Sequence, residues 1–178
     1  MVSARDSLLD CARDLVITGT WADSSMADVA TRAGVSRQTL YNEFGNRDGL
    51  MAAVAKQASD QFRTGTLAAA RRESDPALAV GAAMTWAIDM AHADPLVKAG
   101  LTDDAAGLLP YLTNRSQDVL LPIAADLAAW LDLPDAAWAC EVALRLTVSQ
   151  LLTPLRDDIA FVDAVTDLIR PLLQPTTP

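Results

Sequence analysis

Apolar residues recur at helical spacing along most of the chain. In the first segment Leu8, Ala12 and Leu15 fall three or four positions apart, with charged residues between them, which is typical of an amphipathic helix. The same reasoning predicts helices over Ser3–Thr18, Met26–Ala33, Arg37–Asn42, Arg47 to about Thr64, Pro76–His92, Leu96–Leu101, Ala105–Leu112, Arg115–Leu133, Asp135–Leu152 and Asp158–Leu173. No segment alternates polar and apolar residues over a strand length, so the predicted fold class is all-α.

Two of these helices are short and are separated by a tight turn. Ser25 and Asp28 have the spacing of a capping box, in which each side chain accepts from the other's backbone. Gly34 supplies the left-handed conformation that ends the first short helix, and Ser36 is a good N-cap for the second. The pattern predicts a helix-turn-helix, whose second helix enters the DNA major groove.

The second short helix begins with polar residues suited to reading bases. Arg37 can bind guanine, Gln38 can bind adenine, and the methyl group of Thr39 can touch thymine. Phosphate oxygens are better partners for another set: Ser25, Ser36, Tyr41 and Arg47. The alternatives are an ordinary solvated helix face for the first set and core packing for Tyr41.

The amino-acid sequence of this region resembles that of the DNA-binding domain of TetR-type (tetracycline repressor-like) transcriptional regulators. The matching elements are A-x-x-A-G-V-S from Ala30, L-Y-x-x-F from Leu40, and a cation followed by Leu50 at the start of the next helix. The resemblance covers Leu8 to about Val54 by motif. It implies an N-terminal three-helix DNA-binding domain and a C-terminal helical domain for ligand binding and dimerisation.

The resemblance also assigns roles by position. It implies that one set of residues faces the DNA, namely Arg37, Gln38, Thr39, Tyr41 and Asn42. A second set would contact the DNA backbone, namely Ser25, Ser36 and Arg47. Arg47 stands where the family usually has Lys, which keeps the charge. Glu43 stands where His is frequent, and it either accepts from a cytosine amino group or, the favoured alternative, points to solvent. Arg5 and Arg13 are interpreted as solvated charges.

The charge is distributed unevenly along the 178 residues. The net charge of -9 alone argues against nucleic acid, but up to Asp75 the chain holds 9 basic and 10 acidic residues, and beyond it 5 and 13. Only the surface that meets DNA must be positive. The predicted domains are 1–46 for DNA binding, 47–64 as a connecting helix, and 65–178 for ligand binding and dimerisation.

Large side chains are concentrated in the second part of this Ala-rich chain. Adaptable Met and broad Trp can line a cavity for a small, largely apolar effector, oriented by His92 or Asp89; a plain core is the alternative. The predicted ligand-binding residues are Met84, Trp86, Met90, His92, Trp130 and Trp138.

Apolar residues lie on more than one side of two predicted helices, Asp135–Leu152 and Asp158–Leu173. One face would pack on its own subunit and the other on a second copy, giving a four-helix dimer interface; burial within one chain is the alternative. The family resemblance also implies pairing through the last two helices. The predicted interface residues are Cys140, Leu144, Val148, Leu151, Val165, Leu168, Ile169 and Leu172.

Several classes of function are disfavoured by what the chain lacks. Two cysteines and one histidine are too few for a Cys/His zinc cluster, and no phosphate loop, dinucleotide motif or nucleophile–base pair is seen. We therefore predict no metal, no cofactor and no enzymatic activity. The absence of a membrane-length apolar run and of a signal peptide predicts a cytoplasmic protein. The resulting hypothesis is a homodimeric transcriptional regulator, most simply a repressor, that binds operator DNA and a small effector; a helical enzyme and a nucleoid-type protein are its rivals.

Overall fold

The computed structural model describes residues 3–102, 107–113 and 115–174. In these ranges it is helical and contains no β-strand, which confirms the all-α prediction. The α-helices are α1 (Ala4–Ile17), α2 (Met26–Arg32), α3 (Arg37–Phe44), α4 (Arg47–Ala70), α5 (Pro76–Ala93), α6 (Pro95–Thr102), α7 (Leu109–Leu112), α8 (Leu121–Leu131), α9 (Ala136–Leu152) and α10 (Asp158–Ile169). A short 3-10 turn at Ser116–Asp118 lies between α7 and α8, and another at Arg170–Leu173 comes after α10.

Helices α1 to α3 form an N-terminal unit, called the head below and comprising residues 3–46. The predicted capping box at α2 is confirmed: the Ser25 hydroxyl donates to Asp28 Oδ2 at 2.6 Å and accepts from its backbone N–H at 3.2 Å. Gly34 has φ +67°, a conformation that opposes a β-carbon. Leu8, Val29 and Leu40, one from each helix, are fully buried together.

Helix α4 connects the head to the rest of the chain and extends to Ala70, six residues beyond the predicted end at Thr64. The reason is burial: Thr66, Ala69 and Ala70 continue the covered face of the helix, which packs along α5. Gly65 does not interrupt the helix, and the indole of Trp86 fills the space beside it.

Helices α5 to α10 form the body. The predicted helix Arg115–Leu133 is shorter in the structure, because Pro122 lies in the first turn of α8 and the residues before it form a 3-10 turn. The start of the predicted helix Ala105–Leu112 lies outside the described residues, and its end is α7. Pro171 cannot donate a backbone hydrogen bond, and the last helix tightens into a 3-10 turn after Ile169.

Two buried apolar clusters organise the molecule. The first fills the head and the start of α4, and it also takes in Leu96 of α6 together with Leu108, Tyr111 and Val119. The second joins the end of α4 to α5, α8, α9 and α10. Because the first cluster includes residues of both head and body, the two parts share a packed boundary.

Candidate functional site

The N-terminal end of α3 presents polar side chains to solvent. Ser36 caps the helix by accepting from the Thr39 N–H at 3.0 Å, and the two hydroxyls lie 2.8 Å apart. Arg37 and Gln38 are exposed and Thr39 is half-buried. This is the arrangement that a recognition helix needs, because its first turn must reach the bases while its remainder is braced.

The second turn of α3 separates core residues from exposed ones. Leu40 and Phe44 are buried in the head, whereas Tyr41 keeps 50% of its surface exposed and Asn42 is exposed. Core packing as the role of Tyr41 is therefore not what the structure shows.

Glu43 has a partner that the sequence did not indicate. Its carboxylate accepts from Arg5 of α1 at 3.2 Å, and both side chains remain largely exposed. The Arg5 guanidinium also lies 4.7 Å from the centroid of the Phe44 ring. The interpretation of Arg5 as a solvated charge is corrected here: it pairs with the recognition helix.

Arg47, at the start of α4, is turned toward the head. Its guanidinium donates to the backbone carbonyls of Trp21 and Ser24 and lies over the Trp21 ring, 4.1 Å from the centroid. These contacts fix the loop between α1 and α2 to the connecting helix. A phosphate contact from Arg47 stays a prediction, and in this structure two of its N–H groups are already committed to the protein.

A partly open cavity of about 120 Å³ lies between α4 and the body, bounded by α4, α5, α6, α8 and α9. Its wall is apolar even where hydroxyl residues contribute to it, because each hydroxyl donates to a backbone carbonyl. Ser59 donates to Val119, Thr66 to Phe62 at 2.7 Å, and Thr147 to Ala143 at 2.8 Å. The cavity therefore suits a molecule that needs no polar partner.

The predicted ligand-binding residues are mostly placed elsewhere. Met84 lines the cavity, but Trp138 is 60% exposed and His92 pairs on the surface with Asp158 at 3.1 Å. Trp86 packs edge-on against Phe62 with ring centroids 5.6 Å apart. Met90 and Trp130 are half-buried and are not among the lining residues described. The prediction favoured Met and Trp side chains, whereas the cavity wall combines aliphatic residues with small ones, notably Ala83, Ala87 and Ala143.

The predicted dimer face of α9 is corrected at Cys140, which is buried, and stays a prediction at Leu144, Val148 and Leu151, which are half-buried. Four residues assigned to a partner line the cavity of their own subunit, namely Cys140, Leu144, Val148 and Leu151. On α10, Val165 and Ile169 are buried in the second cluster and Leu172 packs against it, while Leu168 is 62% exposed. Both helices are apolar on two sides, and periodicity alone does not say which side faces inward.

Cys140 is a structural thiol in the cavity wall. Burial raises its pKa to about 12, so the thiol stays protonated at neutral pH. Burial also raises the pKa of Cys11 in the head. Since the thiolate is the reactive form, neither cysteine has the environment of a nucleophile.

Family models of known proteins match both the head and the body. Residues 8–54 match the family model "Bacterial regulatory proteins, tetR family", and residues 75–171, more than half of the chain, match "Bacterial Tetracyclin repressor, C-terminal domain". The chain belongs to the TetR family. Proteins of this family are DNA-binding transcriptional regulators and not enzymes.

Individual TetR-family proteins show the same likeness. The chain is 50% identical over 58 residues to the HTH-type transcriptional regulator AlkX of Mycobacterium tuberculosis, a match that spans 33% of this chain and 28% of that protein. It is 26% identical over 180 residues to another HTH-type regulator of M. tuberculosis, covering 98% of this chain and 87% of that protein.

Solved structures extend the likeness to the whole chain. The TetR family repressor AlkX from Dietzia sp., implicated in biodegradation of n-alkanes, is 30% identical with a TM-score of 0.71, over 97% of this chain and 96% of that one. RolR in complex with resorcinol is 19% identical with a TM-score of 0.64, covering 98% of this chain and 95% of that one, which shows the fold. No helix in the described ranges has the length and hydropathy to cross a membrane.

Proposed function

We propose that this TetR-family regulator is a homodimeric repressor that a small, largely apolar molecule releases from its operator. The observation that carries the proposal is the apolar cavity beside α4, since that helix also holds the head. A ligand there can alter DNA binding if it binds one arrangement of head and body better than another. The functional units are the head, the connecting helix α4 and a ligand-binding, dimerising body.

DNA reading is assigned to α3 and its flanks. Arg37, Gln38 and Thr39 would contact base edges, because they occupy the first turn of the recognition helix, where the first two are exposed and Thr39 is half-buried. Tyr41 and Asn42 would follow along the groove. Ser25 and Ser36 stand at helix N-termini, where backbone N–H groups favour phosphate oxygens.

The effector class follows from the cavity wall. Ser59, Thr66 and Thr147 direct their hydroxyls to backbone carbonyls, so the ligand finds no polar anchor. The AlkX repressor of Dietzia sp., which is implicated in biodegradation of n-alkanes, shares 30% identity with this chain. Both observations support a hydrocarbon-like effector. A volume of about 120 Å³ admits a short molecule, and a longer one requires side chains such as Met84 to move.

Dimerisation is assigned to the outward face of α10. Ala160, Ala164 and Leu168 are spaced four residues apart and all are exposed. Small residues let a partner helix approach, and Leu168 offers an apolar anchor that is 62% exposed in the single subunit. Trp138 at the start of α9 is 60% exposed and is a second apolar side chain available to a partner.

The test combines a selected DNA duplex with n-octane as the probe. The protein first selects a duplex from a random library, and n-octane is then expected to weaken that complex. Ala87→Trp fills the cavity and should keep duplex affinity while losing the response to n-octane. Ala129→Trp, an exposed alanine on α8, is the matched control and should respond as the wild type does. A wild-type protein indifferent to n-octane, or an Ala87→Trp variant with a normal response, would contradict the proposal.

A further inference from the structure

Helix α6 lies between the cavity and the head. Val97 and Leu101 line the cavity on one face. On another face Leu96 is 1% exposed within the first buried cluster, and Ala99 packs against that cluster. A single two-turn helix therefore touches both the space where a ligand would sit and the packing of the DNA-binding unit.

Asp94 fixes the start of this helix. Its backbone N–H donates to the Met90 carbonyl at 2.8 Å and closes α5, while its Oδ1 accepts from the Leu96 N–H at 2.8 Å and opens α6. The same carboxylate accepts from Nη2 of Arg13, at 2.9 Å to Oδ1 and 2.7 Å to Oδ2. Arg13 belongs to α1, so one carboxylate ties the α5–α6 junction to the head.

This ion pair is shielded from water. The Asp94 side chain is 10% exposed and that of Arg13 is 26% exposed. Charged hydrogen bonds are short and strong in such surroundings, and removing one partner leaves the other charge poorly compensated. The pair is therefore more strongly held than the exposed Arg5–Glu43 pair of the head.

We propose that the Arg13–Asp94 pair couples occupancy of the cavity to the position of the head. The proposal rests on the effector function proposed above. A ligand that presses on Val97 and Leu101 displaces α6, and Asp94 moves with the first turn of that helix. Arg13 then transfers the displacement to α1. Both are positioning residues, since neither is placed against the ligand or the DNA.

The first experiment measures coupling with n-octane. The ratio of duplex dissociation constants with and without n-octane is expected to fall about fivefold or more in Arg13→Gln, while n-octane still binds the DNA-free variant. Asp94→Asn should behave alike, because its amide oxygen still caps α6 but carries no charge. A ratio equal to that of the wild type in both folded variants would overturn the proposal.

Arg170→Gln is the matched control. Arg170 pairs with Asp75 at 3.1 Å, and Asp75 also caps α5 by accepting from the Leu78 N–H. This pair has the same chemistry as Arg13–Asp94 but lies wholly within the body. Its loss should lower stability and leave the coupling ratio unchanged. An equal fall of the ratio in this control would show a general loss of rigidity and would overturn the specific role.

A second experiment needs no ligand. Val97→Phe places a larger side chain on the face of α6 that lines the cavity. In the otherwise wild-type protein this substitution should weaken duplex binding. In the Arg13→Gln background the same substitution should have a much smaller fold-effect. Equal fold-effects in the two backgrounds, or no effect of Val97→Phe in either, would overturn the coupling role. This cycle is independent of n-octane, so it tests the coupling role even where a wild type that ignores n-octane contradicts the proposed function.

Discussion

At the scale of single residues, Arg47 shows what a local pattern leaves out. Its charge and its place at the start of α4 predicted a phosphate contact, but its side chain packs on Trp21 and bonds to two carbonyls more than twenty positions earlier. The caps at Ser25 and Ser36 were predictable because both partners lie within three residues. Partners distant in sequence, such as Arg5 for Glu43 or Asp94 for Arg13, leave no comparable signal.

Replacing Arg47 by Ala should destabilise the protein by about 1–3 kcal/mol, because two carbonyls lose their charged donor and Trp21 loses its stacked cation. Urea unfolding followed by circular dichroism measures the change. Arg37→Ala is the control: an exposed residue should shift stability by no more than about 0.5 kcal/mol while weakening duplex binding. Equal stability of the two variants would contradict the role of Arg47.

At the scale of elements, periodicity predicted where most helices lie and failed at which face they bury. The strongest case is α9, where Cys140 and Leu144 face the cavity, although apolar residues occur on other sides of the helix as well. The cavity wall combines small and aliphatic side chains brought together from several helices. That combination is a property of packing, and no single segment contains it.

Gly65 lets α4 and α5 approach closely. A β-carbon there would overlap the benzene part of the Trp86 indole. Gly65→Ala should therefore destabilise the protein by about 1–3 kcal/mol, although Ala favours a helix by up to about 1 kcal/mol. Denaturant unfolding tests this, with Gly65→Ala/Trp86→Leu as a partner variant that relieves the overlap. A stabilised Gly65→Ala would show that the indole moves aside freely.

At the scale of the whole molecule, the proposed function requires two copies, because dimeric helix-turn-helix proteins read two half-sites related by a two-fold axis. Leu168→Glu should give monomers that bind the selected duplex poorly, since it places charge on the exposed face of α10 without entering the core. Leu155→Glu is the control at an apolar residue that is 90% exposed between α9 and α10. Light scattering reads the mass, and a stable Leu168→Glu dimer would place the interface elsewhere.

The most direct test of the central claim is a footprint of the protein on its selected duplex, with a salt titration and an unrelated duplex beside it. We expect two symmetric protected half-sites with centres about 34–36 Å apart. We also expect Gln38→Ala to lose preference at one base pair of each half-site, at a cost of about 1–3 kcal/mol. Salt-sensitive binding with equal affinity for both duplexes and no symmetric protection would contradict the central claim.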